Sequence, residues 1–400
     1  MQIRIERLGH RGDGIAAGPI FAPRTLPGEL VEGEVTGDRV TSPTVIEPSP
    51  DRVTPICPNY DACGGCDLMH ADEAFVARWK VGVVRQALEA RGLPAPILGI
   101  ATSPARSRRR AVLSAKGGAI GFHRRRSHDV VDATGCQVLV PEIEGALPML
   151  ARIAGAAGAK RADVTLHVVS GRNGLDVAIS GGPDVGQAEL TDLAALAAEA
   201  DLARLTVNGE LVARARAATV SIAGAQVEPP PAGFLQATQH GEAALLACVS
   251  KALGEGGRLA DLFAGCGTFA LPLSRRAEVH AVEGDAALLK TAEAASRRAK
   301  GHRPLTTETR DLFREPLSAA ELARFDGVVI DPPRAGAEAQ SLELAQSSVP
   351  RVAVVSCNPL SFARDAGILL AGGHRLDWIR VVDQFRWSPH VELAASFQCS

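Results

Sequence analysis

The sequence contains no run of about 18 uncharged apolar residues, which excludes a membrane-spanning helix. Its first residues, MQIRIERLGHRGDG, are charged from the fourth position and lack the apolar stretch of a secretory signal. A soluble, cytoplasmic protein is therefore expected. Excess positive charge is also missing: 43 Lys plus Arg stand against 45 Asp plus Glu, a formal net charge of -2. That excludes a uniformly basic nucleic-acid binder and requires any such partner to be met locally. Aromatics are scarce at 4%, and arginine outnumbers lysine 37 to 6. Both follow from an Ala- and Arg-heavy composition and carry no functional weight. What is present is 46% apolar residues over 400 positions, enough for more than one ordinary core, so disorder and a collagen-like chain are excluded.

Eight cysteines in a chain of this character point to metal or catalytic use rather than a disulfide framework. Cys57, Cys63 and Cys66 fall together in CPNYDACGGC, whereas Cys136, Cys248, Cys266, Cys357 and Cys399 stand singly. The trio encloses two glycines, as backbone wrapping around a metal centre requires, and Cys136 in ATGCQVL is the best fourth ligand. Four thiolates suit either a [4Fe-4S] cluster or structural zinc. A spacing of three residues between the first two cysteines, the mark of radical catalysis, is absent.

Three regions are expected. Residues 1–48 alternate as short strands (QIRIERL, GPIFAPR, LVEGEVTG) punctuated by Gly12-Asp13-Gly14 and Leu26-Pro27-Gly28, which predicts a small β-barrel. Pro48, Pro50, Pro55 and Pro58 then link it to the cysteine cluster. Residues 49–232 read as an α+β central domain, with a helix over 73–91 whose face of Phe75, Trp79, Val83 and Leu88 packs on a neighbouring domain. Three prolines after Glu228 mark a seam. Residues 233–400 alternate buried strands (RLADLF, EVHAV, PLTTET, DGVVI, RVAVV, LDWIRVV, VELAASF) with helices, the pattern of a seven-stranded, Rossmann-like α/β sheet.

The first of these strands runs into DLFAGCGTFA, where Asp261 precedes a glycine-rich turn through Gly265 and Gly267. Such turns let a ligand approach backbone N–H groups at a helix start, and Glu283 at the end of the next strand is placed to accept from ribose hydroxyls. A nucleoside-containing cofactor is expected, with Asp311 after the third strand meeting an adenine edge. The fourth strand discharges into Asp331-Pro332-Pro333-Arg334 and the fifth into Ser356-Cys357-Asn358-Pro359, both on the rim where ligands bind in such sheets. A thiol there is poised for nucleophilic work. Glu392, opening the last strand, brings a carboxylate to the same rim. Between Arg106 and Arg126 lie eight cations (Arg106, Arg108, Arg109, Arg110, Lys116, Arg124, Arg125, Arg126) without an acid among them, a local phosphate-binding candidate.

Together CPNYDACGGC, FLQ, DLFAGCGTFA, DPPRAG, SCNP and HVE resemble the RNA uracil-C5-methyltransferase family, which makes 5-methyluridine from S-adenosylmethionine. The resemblance covers nearly the whole chain and implies a class I methyltransferase domain, with an N-terminal module similar to a TRAM or OB-like RNA-binding barrel. Members carrying both this module and four cysteines are typically 23S rRNA enzymes. The resemblance implies Cys357 as nucleophile and Glu392 as base, with Gln236 and Asp331 holding the uracil. It also implies Asp261, Phe263, Gly265, Gly267, Glu283 and Asp311 around the cofactor, with Gln236 and Asp331 close to it. Arg108, Arg109, Arg110, Arg124 and Arg125 would meet the RNA, and Cys57, Cys63, Cys66 and Cys136 would hold a [4Fe-4S] cluster. The chain departs from the family pattern in DQFRWSPHVE, where Arg386 replaces the proline usual after Phe385. Three other readings stand beside this one: a tRNA uridine-54-type enzyme, a cytosine-5 or other nucleobase methyltransferase, and a non-catalytic RNA-binding or assembly protein.

Overall fold

The computed structural model describes residues 1–399. Strands Gln2–Leu8, Gly14–Ala16, Ile20–Ala22, Leu30–Thr36 and Arg39–Glu47 form a closed barrel. In the first strand Ile3 and Ile5 point inward while Gln2, Arg4 and Glu6 face solvent, the period-2 pattern of a half-buried strand. Ile3, Ile5, Val31 and Val40 meet in the barrel core.

A seven-stranded sheet follows, in the order Glu210–Arg214, Arg204–Val207, Gly174–Gly181, Val164–Gly171, Arg110–Lys116, Ala119–His123, Val130–Asp132. Helices Pro141–Ala154 and Gln187–Glu199 cover one face, burying Ile143, Leu147, Leu150 and Leu193 against Leu113, Leu166 and Val177. The hairpin Val220–Ile222 and Ala225–Val227 leans the other way, onto Leu271 and Ala295 of the C-terminal region.

The largest sheet has eight strands, not seven. Its order is Leu305–Thr309, Glu278–Glu283, Arg258–Leu262, Gly327–Ile330, Arg351–Ser356, Glu392–Cys399, His374–Asp383, Ile97–Thr102. The first five are parallel, and Glu392–Cys399 enters antiparallel between its neighbours. The eighth strand comes from before the proline seam and runs parallel to His374–Asp383, covering what would be an open edge. Its ILGIAT carries no alternating burial, which is why it escapes the sequence reading. The expected central domain over residues 49–232 is corrected accordingly: part of it is built into the C-terminal sheet. No helix among the described residues is long and apolar enough to cross a membrane.

Helix Glu73–Glu89, capped by Asp72 Oδ1 accepting from Ala74 N at 2.9 Å, packs on this sheet. Its buried face is Val76, Lys80, Val84, Ala87 and Leu88, rotated by one residue from the expected face. A cation at the centre of the buried stripe obscures the apolar period. Lys80 is 0% exposed, and its Nζ lies 2.6 Å from Asp383 Oδ1 and donates to the Phe385 carbonyl at 3.1 Å. The Asp383 carbonyl in turn accepts from Ser103 N at 2.8 Å. One ion pair thus joins the helix, the end of the eighth strand and the loop leading to Glu392. Because removing one partner strands the other charge in the interior, Lys80→Met is expected to lose about 3–5 kcal/mol in urea denaturation. The Lys80→Met/Asp383→Leu pair should recover most of that loss.

Candidate active site

The pairing of strands Arg351–Ser356 and Glu392–Cys399 places Ser356 opposite Leu393. Continuing that antiparallel register by one residue brings Cys357 beside Glu392, and opposite residues of a pair share a face. Both line one cavity of about 690 Å³, together with Arg334, Phe385 and His390. The parallel neighbour Gly327–Ile330 ends at Asp331, so three of the expected residues converge on one rim.

Side-chain hydrogen bonds stitch the three motifs together. Asn358 caps helix Pro359–Ala371, its Oδ1 accepting from Leu360 N at 3.1 Å, while its Nδ2 donates to the Arg334 carbonyl at 2.9 Å. Arg334 Nη2 in turn reaches His390 Nδ1 at 2.7 Å. Arg386, at the departure from the family pattern, ties the 383–392 loop outward through Nη1 to the Ser103 carbonyl at 2.9 Å and through Nη2 to Glu73.

The electrostatics favour protons. Burial pushes the Cys357 thiol up, Glu392 and Asp331 push it further, and Arg334 opposes them. Burial moves Glu392 up to about 8, against the hydrogen bond from Gln384. Burial moves Asp331 up to about 7. The resting site therefore does not supply a preformed thiolate.

Gln384 is the participant that the sequence reading misses. Its amide is buried, donating through Nε2 to Gln236 Oε1 at 2.5 Å and to Glu392 Oε2, and accepting through Oε1 from Thr238 N at 3.2 Å. Gln236 Nε2 faces Asp331 Oδ2 at 3.5 Å. A glutamine at a strand end carries no local signal, and its partners lie up to 148 residues away.

The glycine-rich turn after strand Arg258–Leu262 was expected to meet a cofactor. Asp261 is fully buried, with Oδ2 accepting from Ala270 N at 2.7 Å, while among the described residues its buried Oδ1 has no partner. Gly265 adopts φ +55°, and a Cβ there would meet nothing within 4 Å, an open cradle beside backbone N–H groups. Phe263 also has positive φ, and its ring lies 5.2 Å from that of Phe313, which is 48% exposed. Glu283 accepts from Gly265 N and Asp285 N, each at 3.0 Å, and Asp311 accepts from Phe313 N at 3.0 Å. These carboxylates keep further lone pairs, and the orphaned Asp261 oxygen with the open cradle fits a polar nucleoside ligand.

Five of the eight cations in the basic run face acids, and one of them, Arg109, is buried. Arg109 is buried, 2.6 Å from Glu242, which corrects its expected place on an RNA-facing surface. Acids distant in sequence neutralise other members: Arg125 meets Asp13 and Asp67, Arg106 meets Glu144, and Lys116 meets Asp163. Arg108 and Arg110 lie over the rings of Phe385 and Phe234, at 5.7 and 5.1 Å, and Arg124 is exposed.

Cys57, Cys63, Cys66 and Cys136 line the same cavity as Cys357. Burial raises the thiols of Cys63, Cys66 and Cys136, and neighbouring cysteines of the set raise them further. Among the described residues, no group of three or more His, Cys, Asp or Glu is drawn together as a site for a metal ion.

A family model described as tRNA (Uracil-5-)-methyltransferase matches residues 304–398. A Rhizobium meliloti (strain 1021) protein described as an uncharacterized RNA methyltransferase is 40% identical over 99% of this chain and 99% of its own. The 23S rRNA (uracil(1939)-C(5))-methyltransferase of Vibrio parahaemolyticus is 31% identical over 100% of this chain and 96% of its own. Among solved structures, the Pyrococcus abyssi tRNA (uracil-54, C5)-methyltransferase in complex with S-adenosyl-L-homocysteine superposes with a TM-score of 0.80 at 22% identity, covering 99% of this chain and 100% of that one.

The raised Glu392 has a consequence for stability. Between its ordinary value of 4.5 and about 8 the folded chain holds a proton that the unfolded chain has released. Stability from this group therefore falls as pH rises through that window. Glu392→Gln should match wild type most closely near the bottom of the window and gain relative stability toward its top, read from urea midpoints. An unchanged difference would remove the buried carboxylate from this account.

Proposed function

The chain belongs to the RNA uracil-C5-methyltransferase family, and from that premise we propose that it methylates C5 of a uridine in 23S rRNA, with Cys357 as nucleophile and Glu392 as base. The observation that carries this reading is the strand register that sets Cys357 beside Glu392 in one cavity. Bound at the Asp261–Gly267 turn, with Phe263, Glu283 and Asp311 around it, S-adenosylmethionine supplies an electrophilic methyl group. The 31% relative favours ribosomal RNA as acceptor; the archaeal transfer-RNA enzyme shares the fold.

Uracil C5 is a poor nucleophile until a group adds at C6. The Cys357 sulfur forms a bond to C6, and the ring electrons move toward O4, giving an enolate whose C5 can attack the methyl carbon. Since the thiol is raised, its proton passes to solvent in the open cavity as the C–S bond forms, and the thiolate released at the end takes one back. Gln236 and Asp331 meet the O4 and N3–H edge, where donors facing the developing negative charge lower the barrier. After transfer C5 bears both methyl and hydrogen. Glu392 removes that proton, the C5–C6 double bond re-forms, and the Cys357 thiolate departs. In its ionised form a carboxylate of pKa about 8 is a stronger base than an ordinary one.

The target base must leave its stack, which costs a few kcal/mol. Arg108, Arg110 and Arg124 supply the cations beside the cavity for the RNA backbone, and the N-terminal barrel is assigned as a TRAM-like RNA-binding module. Cys57, Cys63, Cys66 and Cys136 form a soft donor set suited to a [4Fe-4S] cluster, which when bound supplies a cross-link between chain segments and one-electron redox capacity.

RNA containing 5-fluorouridine should trap a covalent adduct, because fluorine cannot leave as a proton, and Cys357→Ala should abolish trapping. Glu392→Gln should slow release from natural RNA by about 100-fold or more, since general-base catalysis contributes that much. Undiminished turnover by Cys357→Ala would refute the mechanism. Mass mapping of RNA from a strain without this chain should show one 5-methyluridine missing from 23S rRNA; its loss from transfer RNA would move the acceptor.

Anaerobically purified protein should absorb broadly in the visible and lose that band in Cys136→Ser. Colourless, zinc-loaded protein would replace the cluster.

A further inference from the structure

We propose that Gln384 is a positioning residue that sets the choice of uracil over cytosine, by fixing which end of the Gln236 amide faces the base. The proposal rests on the reading that Gln236 and Asp331 meet the base edge.

A backbone N–H can only donate. Thr238 N–H points at Gln384 Oε1 at 3.2 Å. Thr238 cannot readily turn: it caps helix Gln239–Leu253 through Oγ1, which accepts from Gly241 N at 2.9 Å and lies 2.8 Å from Ser103 Oγ. The first turn of that helix is flush against Gln384, since a Cβ on Gly241 would lie 2.7 Å from Gln384 Cβ and 3.1 Å from its Oε1. A side-chain amide whose oxygen is held this way must send its nitrogen the opposite way. The two Nε2 hydrogens go to Gln236 Oε1 and Glu392 Oε2. Gln236 has then spent its oxygen, so the edge it offers beyond Gln384 is its N–H group. Gln236, Thr238 and Gln384 are each no more than 2% exposed, so water does not compete for these bonds.

Uracil presents an acceptor at O4 and a donor at N3, whereas cytosine presents an amino donor and an acceptor. A donor from Gln236 beside Asp331, which only accepts when ionised, matches uracil at both positions and opposes cytosine at both. Sites built to hydrogen-bond one pattern reject the other strongly, because buried groups are left unpaired. The same Gln384 nitrogen occupies one Glu392 oxygen and leaves the other for the C5 proton. Base choice and proton removal thus share one amide.

The test uses the full chain, S-adenosylmethionine and transcripts of the mapped RNA segment carrying the target uridine or a cytidine in its place. Gln384→Met is close in shape but polar at neither end; Gln384→Glu keeps an acceptor for Thr238 N–H and, when ionised, donates nothing. In both variants the uridine-to-cytidine preference for tritiated methyl incorporation should fall at least about tenfold, the worth of one hydrogen bond in discrimination. The covalent intermediate should also accumulate on uridine, a signature that general loosening of the fold does not produce. Thermal unfolding and cofactor binding identify the folded variants, and Gln384→Glu decides the matter if Gln384→Met does not fold. Full preference with normal release in a folded variant overturns the proposal. Wild-type protein that traps no 5-fluorouridine RNA overturns the underlying reading of the site, and this inference with it.

Discussion

The antiparallel insertion of Glu392–Cys399 between Arg351–Ser356 and His374–Asp383 is the constraint on which the active site depends. In a purely parallel sheet every strand would present its C-terminal end to the rim, and the start of a strand would lie on the far side. Reversing one strand brings the residue that opens it, Glu392, to the edge where Cys357 emerges. The side-chain period of two then decides whether they share a face, because a slip of one residue would send one to the opposite side. The proposed nucleophile and base, 35 positions apart in sequence, thereby become neighbours with no flexible loop between them and the sheet.

Acids gather densely at this rim, and their partners divide the labour among them. Asp383 and Glu242 each face a buried cation, Lys80 and Arg109, and these pairs tie segments together: the helix to the 383–392 loop, and the basic strand to helix Gln239–Leu253. Asp331 and Glu392 are met instead by glutamine amides, and burial raises them to about 7 and about 8; burial raises Glu242 as well, against the opposing charge of Arg109. Paired acids hold the fold, whereas acids paired only by amides remain able to exchange protons near neutral pH, as acid–base chemistry requires.

Much of this was legible in the sequence where the signal is local. Glycines at 265 and 267, the prolines after Asp331 and the apolar runs of the sheet each constrain the backbone within a few residues, so the turn, the rim loops and seven strands could be read directly. The barrel was readable from its alternation and turns. The eighth strand was not, because its place is set by an edge formed about 280 residues later. Lys80 hid the true helix face, one residue from the expected one, for a related reason: its counter-ion lies 303 residues away. The basic run looked free of acids because its acids are remote. Gln384 belongs to the same class, its role existing only after three distant segments meet.

A chain of net charge -2 must engage RNA through local contacts. Five members of the basic run, Arg106, Arg109, Lys116, Arg125 and Arg126, are spent on Glu144, Glu242, Asp163, Asp13 and Asp67. They position the barrel and the central sheet rather than project a field. Arg108 and Arg110 are held instead over aromatic rings beside the cavity, where a planar guanidinium on a ring offers a face on which a base can stack as well as a charge for a phosphate. Phe234, which carries Arg110, is 53% exposed and lies two residues before Gln236. A nucleotide next to an extruded uridine would thus find a stacking surface on the segment proposed to meet the base, and recovery of lost stacking there would offset the cost of extrusion. Affinity built in this way depends on close fit at the cavity mouth more than on long-range attraction, which is the arrangement a nearly neutral protein requires.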